Sequence, residues 1–272
     1  MIDLPFDPDL VVGGLRIAWH SIFAFVGMMV GGGLSIRLSR YFFRDERIYP
    51  FAFAVIAGGL IAARIAHVAD NWGSFQGDVW KMVSFQGGGI ATMGAPIGST
   101  VAALVACRWL RLPRGFMFDI TVIGIALGEA IGRIGDIING EHHGTPCSGL
   151  PWCVRYTDPH TLGQSTFVHP IGIYDGLLMA AIFVVLLLYW RRIRGQPPES
   201  RIYWAYLLLL GAGRFLESFL REDPVVAFGL QEAHLLGAAY AVAGGVMLVL
   251  LNMRTKQPKI APKPLHNGVS ER

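Results

Sequence analysis

Arginines and carboxylates stand inside stretches of this chain that are otherwise apolar, and their spacing is helical. Glu129, Arg133 and Asp136, with Gly140 beyond them, follow at i, i+4, i+7 and i+11 and so share one helix face. Arg214, Glu217, Ser218 and Arg221 share a face in a second apolar run, and Arg64 interrupts a third. An ionisable side chain at the centre of a membrane span costs roughly 2.5–3.5 kcal/mol even on a mild insertion scale, so each must face protein or water. Guanidinium groups stay protonated and donate paired hydrogen bonds, which suits a phosphate. If Arg64, Arg133 and Arg214 converge, they line a cavity fit for an anionic phospholipid head group. The competing reading is internal neutralisation, Arg133 by Glu129 or Asp136 and Arg214 by Glu217, which fixes helix register without chemistry.

Histidines are the remaining candidates. His142 and His143 adjoin the charged face, and His20 lies inside the first apolar run, whereas His67, His160 and His234 read as interfacial or helix-end residues. No Cys and His spacing matches a four-ligand pattern, so no metal site and no cofactor are expected. Cys107 ends an apolar run and reads as core. Cys147 and Cys153 flank a polar stretch, where a disulfide forms if the loop faces an oxidising compartment.

The elements that must position these residues are membrane helices. Of 272 residues 53% are hydrophobic and 15% charged, more apolar surface than one soluble core can hide. Seven charge-poor runs have the length of spans: Leu15 to Ile36, Tyr49 to Val68, Ile90 to Cys107, Phe116 to Ile138, Pro170 to Tyr189, Ile202 to Leu220 and Ala233 to Asn252. Gly124, Gly128 and Gly132 form a stripe beside the charged face of the fourth run and allow close helix contact. The glycine cluster from Gly87 to Gly98 is either a turn before a tightly packed helix or a broken segment lining a cavity. The fold class is therefore an all-α membrane bundle of about seven helices with an outward-facing lipid cavity. Residues 1–252 form its single domain and 253–272 a disordered, basic, cytoplasmic tail.

Charge sets the orientation. Arg37, Arg40, Arg44 and Arg47, then Arg108, Arg111 and Arg114, then Arg191, Arg192, Arg194 and Arg201, then the tail lysines and arginine mark the cytoplasmic side. The N-terminus, the stretch with Asp70, Asp78 and Lys81, the loop from Asn139 to His169 and the segment from Glu222 to Glu232 should face outward. The basic residues sit at helix ends, which is topology and not a nucleic-acid groove. Asp3, Asp7 and Asp9 precede the first run, unlike the basic start of a cleaved leader, so that run is expected to remain.

Four blocks carry a family resemblance. Gly132-Arg133-Ile134-Gly135-Asp136-Ile137-Ile138-Asn139-Gly140-Glu141-His142-His143-Gly144 resembles the Gly-Arg-x-Gly-Asn-x-x-Asn-x-Glu-x-x-Gly motif of prolipoprotein diacylglyceryl transferases. Gly88 through Gly98 resembles their Gly-Gly-x-x-x-His-Gly segment. His169-Pro170 with Tyr174-Asp175 resembles His-Pro-x-x-x-Tyr-Glu, and Gly213-Arg214-Phe215 through Arg221 resembles Gly-Arg-Phe-x-x-Glu-Phe-x-Arg. The resemblance spans nearly the whole chain. It implies transfer of the diacylglyceryl group of phosphatidylglycerol to the lipobox cysteine of a prelipoprotein, in a bacterial inner membrane, with the N-terminus outside. On this resemblance Arg133 and Arg214 clamp the phosphate. Arg64, Asp136, Asn139, Glu141, Gly144, Glu217, Gly94 and Met93 shape the lipid site.

Several positions depart from the family pattern. Met93 stands where the family has a histidine proposed as base, Asp136 replaces its asparagine, and Ser218 occupies the place of its glutamate, with Glu217 beside it. His20, between Trp19 and Ser21, replaces the tyrosine of a Trp-Tyr-Gly segment. One outcome is a working transferase in which His20, or His142 or His143, takes the base role. A second is a family member that binds phospholipid without this reaction or uses another acceptor. A solute transporter fits the buried charges, but no internal repeat or acid-rich ion path supports it.

Overall fold

The computed structural model describes residues 1–41, 46–83, 94–193 and 200–255. The long helices are α1 (Trp19–Ser39), α2 (Ile48–Asp70), α5 (Gly94–Trp109), α6 (Arg114–Asn139), α7 (Ile171–Ile193), α8 (Arg201–Glu217) and α9 (Glu232–Thr255), with the short α3 (Trp72–Phe75) and α4 (Val79–Val83) between α2 and α5. Five of them, α1, α2, α6, α7 and α9, are long and apolar enough to cross a membrane. Helices α5 and α8 have 16 and 17 residues. Phe25, Phe53, Ile61, Leu177 and Val242, on four of those five, are 58–75% exposed, apolar surface that only lipid would cover. The chain is a multi-pass membrane protein, mostly helical.

Several boundaries differ from the sequence reading, with α1 and α7 running on to Ser39 and Ile193. Leu15–Ala18 is not the start of α1 but strand β3, paired antiparallel with β2 (Asp9–Val12). The Gly13-Gly14 turn between them sits at φ +57° and +86°, a two-residue connection that glycine adopts without strain and that reverses the chain before the helix can begin. Helix α8 stops at Glu217 instead of running to Leu220, and Ser218–Leu220 tightens into a 3₁₀ turn. There the Ser218 hydroxyl donates to the Arg214 carbonyl at 2.7 Å. Helix α9 continues past Asn252 to Thr255. Ile90 to Met93, Gly87 to Gly89, Arg44, Arg194 and the tail from 256 lie outside the described residues.

Helix α6 is the axis of the bundle. Its Met117, Ile120, Ile123 and Ala126 are wholly buried, and it packs against α1 on one side and α7 and α8 on the other. The contact with α1 is backbone on backbone: a Cβ on Gly31 would strike the Gly124 carbonyl, and one on Gly27 the Gly128 carbonyl. Ser35 uses that closeness to donate to the Ile120 carbonyl at 3.1 Å. Gly31→Leu should therefore force α1 away from α6 and cost on the order of 1–3 kcal/mol, read as a lowered unfolding midpoint in detergent. An unchanged midpoint would show that α1 does not depend on this approach. Helix α6 ends at Gly140, whose φ of +76° lets its N–H close onto the Asp136 carbonyl at 2.9 Å and turns the chain out of the bundle.

At that end of the bundle the N-terminal arm, the loop after α6 and the segment after α8 form one cap. Strand β1 (Ile2–Leu4) pairs in parallel with β4 (Val154–Tyr156), and Arg155 holds Asp3 through two hydrogen bonds of 3.0 and 3.1 Å. Cys147 and Cys153 form a disulfide beside β4. Thr145 N–H donates to the Leu220 carbonyl at 2.8 Å and Glu222 N–H to the His143 carbonyl at 3.1 Å, which joins this loop to the segment after α8. The hairpin of β5 (Val225–Ala227) and β6 (Leu230–Gln231) completes the cap.

Candidate active site

One face of α6 delivers two groups to the underside of the cap. Arg133 Nη1 donates to Asp136 Oδ2 at 2.6 Å, an i,i+3 pair on α6, and lies 3.6 Å from Asp175 Oδ2 on α7. Arg214, from α8, places its own Nη1 2.7 Å from Asp175 Oδ1. Arg221 Nη1 lies 3.4 Å from Asp175 Oδ2, and its Nε donates to Asp223 at 2.8 Å. Three guanidiniums thus meet on one carboxylate that is 1% exposed. Their own side chains keep 14%, 27% and 11% exposure for Arg133, Arg214 and Arg221, so a ligand can still reach them. Among the described residues every hydrogen bond from Arg133 and Arg214 leaves from Nη1, and their Nη2 and Nε groups stay unused. Anchored on one side and unsatisfied on the other, they are donors prepared for an anion.

The second half of the cluster is an imidazole–carboxylate pair. His20, in the first turn of α1, lies with Nδ1 2.5 Å from Asp136 Oδ1 and 3.7 Å from Glu141 Oε2. Gly135 makes this possible, because a Cβ there would press against the His20 backbone. A carboxylate already bonded to Arg133 can only accept, so the tautomer that fits carries its proton on Nδ1 and leaves Nε2 with a lone pair. Nε2 makes no hydrogen bond among the described residues, and the side chain is 31% exposed. His142 fills the space between Arg133, Asp136 and Arg221, at 2.5, 3.1 and 3.4 Å. His143 turns away to the Leu162 carbonyl.

The other expected site residues divide by location. Asn139 donates through Nδ2 to Glu141 Oε1 at 2.7 Å, while its Oδ1 is buried with no donor. Glu217 is buried beside the Asp175 carboxyl, 3.6 Å from Arg214 at the closest. Gly144 N–H donates to Gln164 Oε1, and its Cα lies against the His169 carbonyl, where no side chain fits. Arg64 donates to the Met82 and Lys81 carbonyls at 2.9 and 2.6 Å and lies over the Phe75 ring, tying α2 to α3 and α4. Gly94 opens α5 where a Cβ would meet the Ala62 carbonyl of α2, a packing role. Met93 lies outside the described residues. Glu129 is not the partner of Arg133: Asp136 and Asp175 are. Tyr156, in the cap, packs its ring on Gly163, and burial pushes its phenol up to about 12, with the Asp136 charge adding to the shift.

Sequence reasoning left three participants off the site. Asp175 is the only acidic residue of α7, and a lone intramembrane carboxylate is itself a signal. Arg221 follows Arg214 at i+7, but the helix ends between them. Asp119, 4% exposed on α6, accepts the Tyr203 backbone N–H at 2.9 Å and so fixes the start of α8, which carries Arg214. His20, Asp136 and Glu141 hold ligand atoms within 4.8 Å of one another. Arg133 and His142 already engage Asp136, and that cationic neighbour opposes a metal ion there.

A cavity of about 400 Å³ lies where the N-terminal arm meets α1 and α6, lined by Phe6, Asp7, Asp9, Trp19, Phe23 and Ile138.

Comparison with known proteins agrees with the motif blocks. The family model described as prolipoprotein diacylglyceryl transferase matches residues 9–250. A Clostridioides difficile protein named Phosphatidylglycerol--prolipoprotein diacylglyceryl transferase is 30% identical over 244 residues, 89% of this chain and 94% of that protein. A Gloeobacter violaceus protein of the same name is 30% identical over 253 residues, 90% and 92% of the two chains. One from Dehalococcoides mccartyi is 28% identical over 275 residues, 96% of this chain and all of the other.

Proposed function

This chain belongs to the prolipoprotein diacylglyceryl transferase family, and from that premise we propose how its clustered residues divide the work. The enzyme transfers the diacylglyceryl group of phosphatidylglycerol to a prolipoprotein, a step of lipoprotein biosynthesis. The observation that carries the mechanism is the pair of guanidiniums held at Asp175 whose remaining N–H groups make no hydrogen bond among the described residues.

Arg133 and Arg214 bind the phosphate of the lipid head group. The acceptor is the lipobox cysteine. Its sulfur bonds to the glycerol carbon that bears the phosphate ester, the carbon–oxygen bond breaks, and the electron pair leaves on glycerol phosphate. Charge accumulates on that phosphate in the transition state, where fixed donors stabilise it most. The thiol proton passes to His20 Nε2, since the thiolate is the stronger nucleophile and Met93 cannot accept a proton. Asp136 orients the imidazole and supports the charge it gains, so both are candidate catalytic residues together with the two arginines. The donorless acceptor Asn139 Oδ1 suits a hydroxyl of the glycerol head group, with Glu217 nearby on α8. Glu141 and Gly144 hold the shape of that site.

Seven spans, an outside N-terminus and a cytoplasmic tail in the bacterial inner membrane fit the arginine-rich connections. The disulfide in the cap supports an oxidising side for the loop after α6 and for the cavity that admits the lipid. A lipobox peptide incubated with the purified protein and phosphatidylglycerol should gain the mass of one diacylglyceryl group. No gain, with phospholipid still bound, would leave a lipid-binding relative in place of an enzyme.

A further inference from the structure

Two hairpins of the cap enter the bundle in the same way. The strands β2 and β3 turn at Gly13-Gly14 and run from Ala18 straight into Trp19 of α1, and β5 and β6 turn at Phe228-Gly229 and run from Gln231 straight into Glu232 of α9. Both helices are long and apolar enough to cross a membrane. We propose that the tips of both hairpins insert into the head-group layer of the leaflet on the cap side, and that this contact sets the arginine cluster at the depth of the lipid phosphates. The second half rests on the phosphate-binding role given above to Arg133 and Arg214; the first half does not.

The residues at the tips carry the inference. Turns in water favour Gly, Asn, Asp, Pro and Ser. Here the glycines are flanked by Val11, Val12 and Leu15 on one hairpin and by Val225, Val226 and Phe228 on the other, all of them exposed. Phe228 is the sharpest case. Its φ is +53° and that of Gly229 +75°, the signs of a two-residue turn whose first position suits Asn or Gly. A phenyl ring in that backbone region is disfavoured, and at 97% exposure it gains nothing from its own chain in return. What would cover it lies outside the protein.

Lipid is the occupant that the surroundings specify. Each hairpin is rooted at the first residue of a span, and four residues at about 3.3 Å each keep its tip within about 13 Å of that residue. The head-group layer occupies about 5–7 Å of this distance, so a hairpin that leans over lies in it. The lipid-facing surface continues onto the second hairpin through Leu216 and Phe219 on one side and Leu235 on the other, all exposed. The acidic residues beside it are engaged within the cap: Glu222 accepts from Gln164 at 2.8 Å and Asp223 from Arg221 at 2.8 Å, which leaves the tip uncharged. Aromatic and aliphatic side chains at this level anchor proteins to a bilayer.

Both hairpins are fastened to the site. Gln231 Nε2 donates to the Arg221 carbonyl at 2.8 Å, and Arg221 Nη1 lies 3.4 Å from Asp175, on which Arg133 and Arg214 also converge. Trp19 N–H donates to the Pro8 carbonyl at 3.0 Å, and the next residue, His20, meets Asp136.

The test uses the full-length protein in vesicles of phosphatidylcholine and phosphatidylglycerol, with an environment-sensitive fluorophore on Val12→Cys or Phe228→Cys. Cys107 is buried and Cys147 is joined to Cys153, so the label goes to the new thiol. Each probe should emit as in an apolar medium, lose about half of its emission to lipids brominated near the head group, and resist quenching by iodide. Quenching by iodide without quenching by brominated lipid overturns the insertion and gives the tips to water, a second copy or a protein partner. Val12→Asp combined with Phe228→Asp should raise the KM for vesicular phosphatidylglycerol about ten-fold, with kcat within about two-fold and the unfolding midpoint in detergent unchanged. An unchanged KM, with both tips inserted in the parent protein, overturns the setting of depth and keeps the insertion. If Arg133→Ala leaves phospholipid handling intact, the phosphate reading fails while the quenching result stands.

Discussion

Arg133→Ala should lower kcat for diacylglyceryl transfer by roughly 10²–10³-fold, the usual cost of deleting one fixed donor to developing charge. The side chain has two tasks, and they are separable. Its Nη1 neutralises Asp136 and faces Asp175, so its loss strands buried carboxylates and should also lower stability by about 3–5 kcal/mol. Its Nη2 and Nε, which make no hydrogen bond among the described residues, are assigned to the phosphate, and only their loss should affect phospholipid handling. Arg133→Lys keeps the charge beside Asp136 but gives up the planar fork. It should recover much of the unfolding midpoint while kcat remains at least about ten-fold below wild type. If both variants lose stability and neither changes kcat per folded molecule, Arg133 is an internal ion pair and the phosphate clamp is wrong.

The positions of the helices were largely legible because lipid as solvent leaves few choices: a span must be long, apolar and helical. Failures came where local chemistry overrode composition. Leu15–Ala18 has the composition of a helix start, and only the Gly13-Gly14 turn reveals that it pairs backwards onto Asp9–Val12. Ser218 continues the apolar period of α8, yet its hydroxyl bonds the Arg214 carbonyl and the helix tightens there. Contacts that depend on two glycines meeting backbone to backbone, such as Gly31 on Gly124, are half visible: the stripe on α6 can be read, and its partner on α1 cannot.

For the site, spacing along one helix identified the faces but not their partners. Spacing offers Arg133 either Glu129 or Asp136 on its own helix; the Asp136 pair forms, and tertiary packing adds Asp175 from another helix. Asp175 has no charged neighbour in α7 before the arginines at its end, so no periodicity announces it as the hub. The N-terminal arm is silent in sequence for the same reason: Asp3 finds Arg155 only through the pairing of β1 with β4.

Two of the substitutions that set this chain apart from its family pattern are in contact with each other, and that yields the second large prediction. His20 and Asp136, which stand where the pattern has tyrosine and asparagine, share the 2.5 Å contact between α1 and α6. The change at one position therefore explains the change at the other: an imidazole gains a carboxylate that fixes its tautomer and supports the charge it acquires. His20→Ala should lower kcat by about 10²–10⁴-fold, the range for removing a positioned general base. Asp136→Asn should lower it less, because the imidazole remains but its orientation is no longer enforced. The double variant should be no slower than His20→Ala alone, since residues acting as a unit are strongly non-additive. Restoring the family residues with His20→Tyr and Asp136→Asn should leave the enzyme slow until Met93→His supplies the missing base. Full activity in the His20→Tyr, Asp136→Asn variant with Met93 intact would mean that the pair only holds α1 against α6, and that the thiol loses its proton elsewhere.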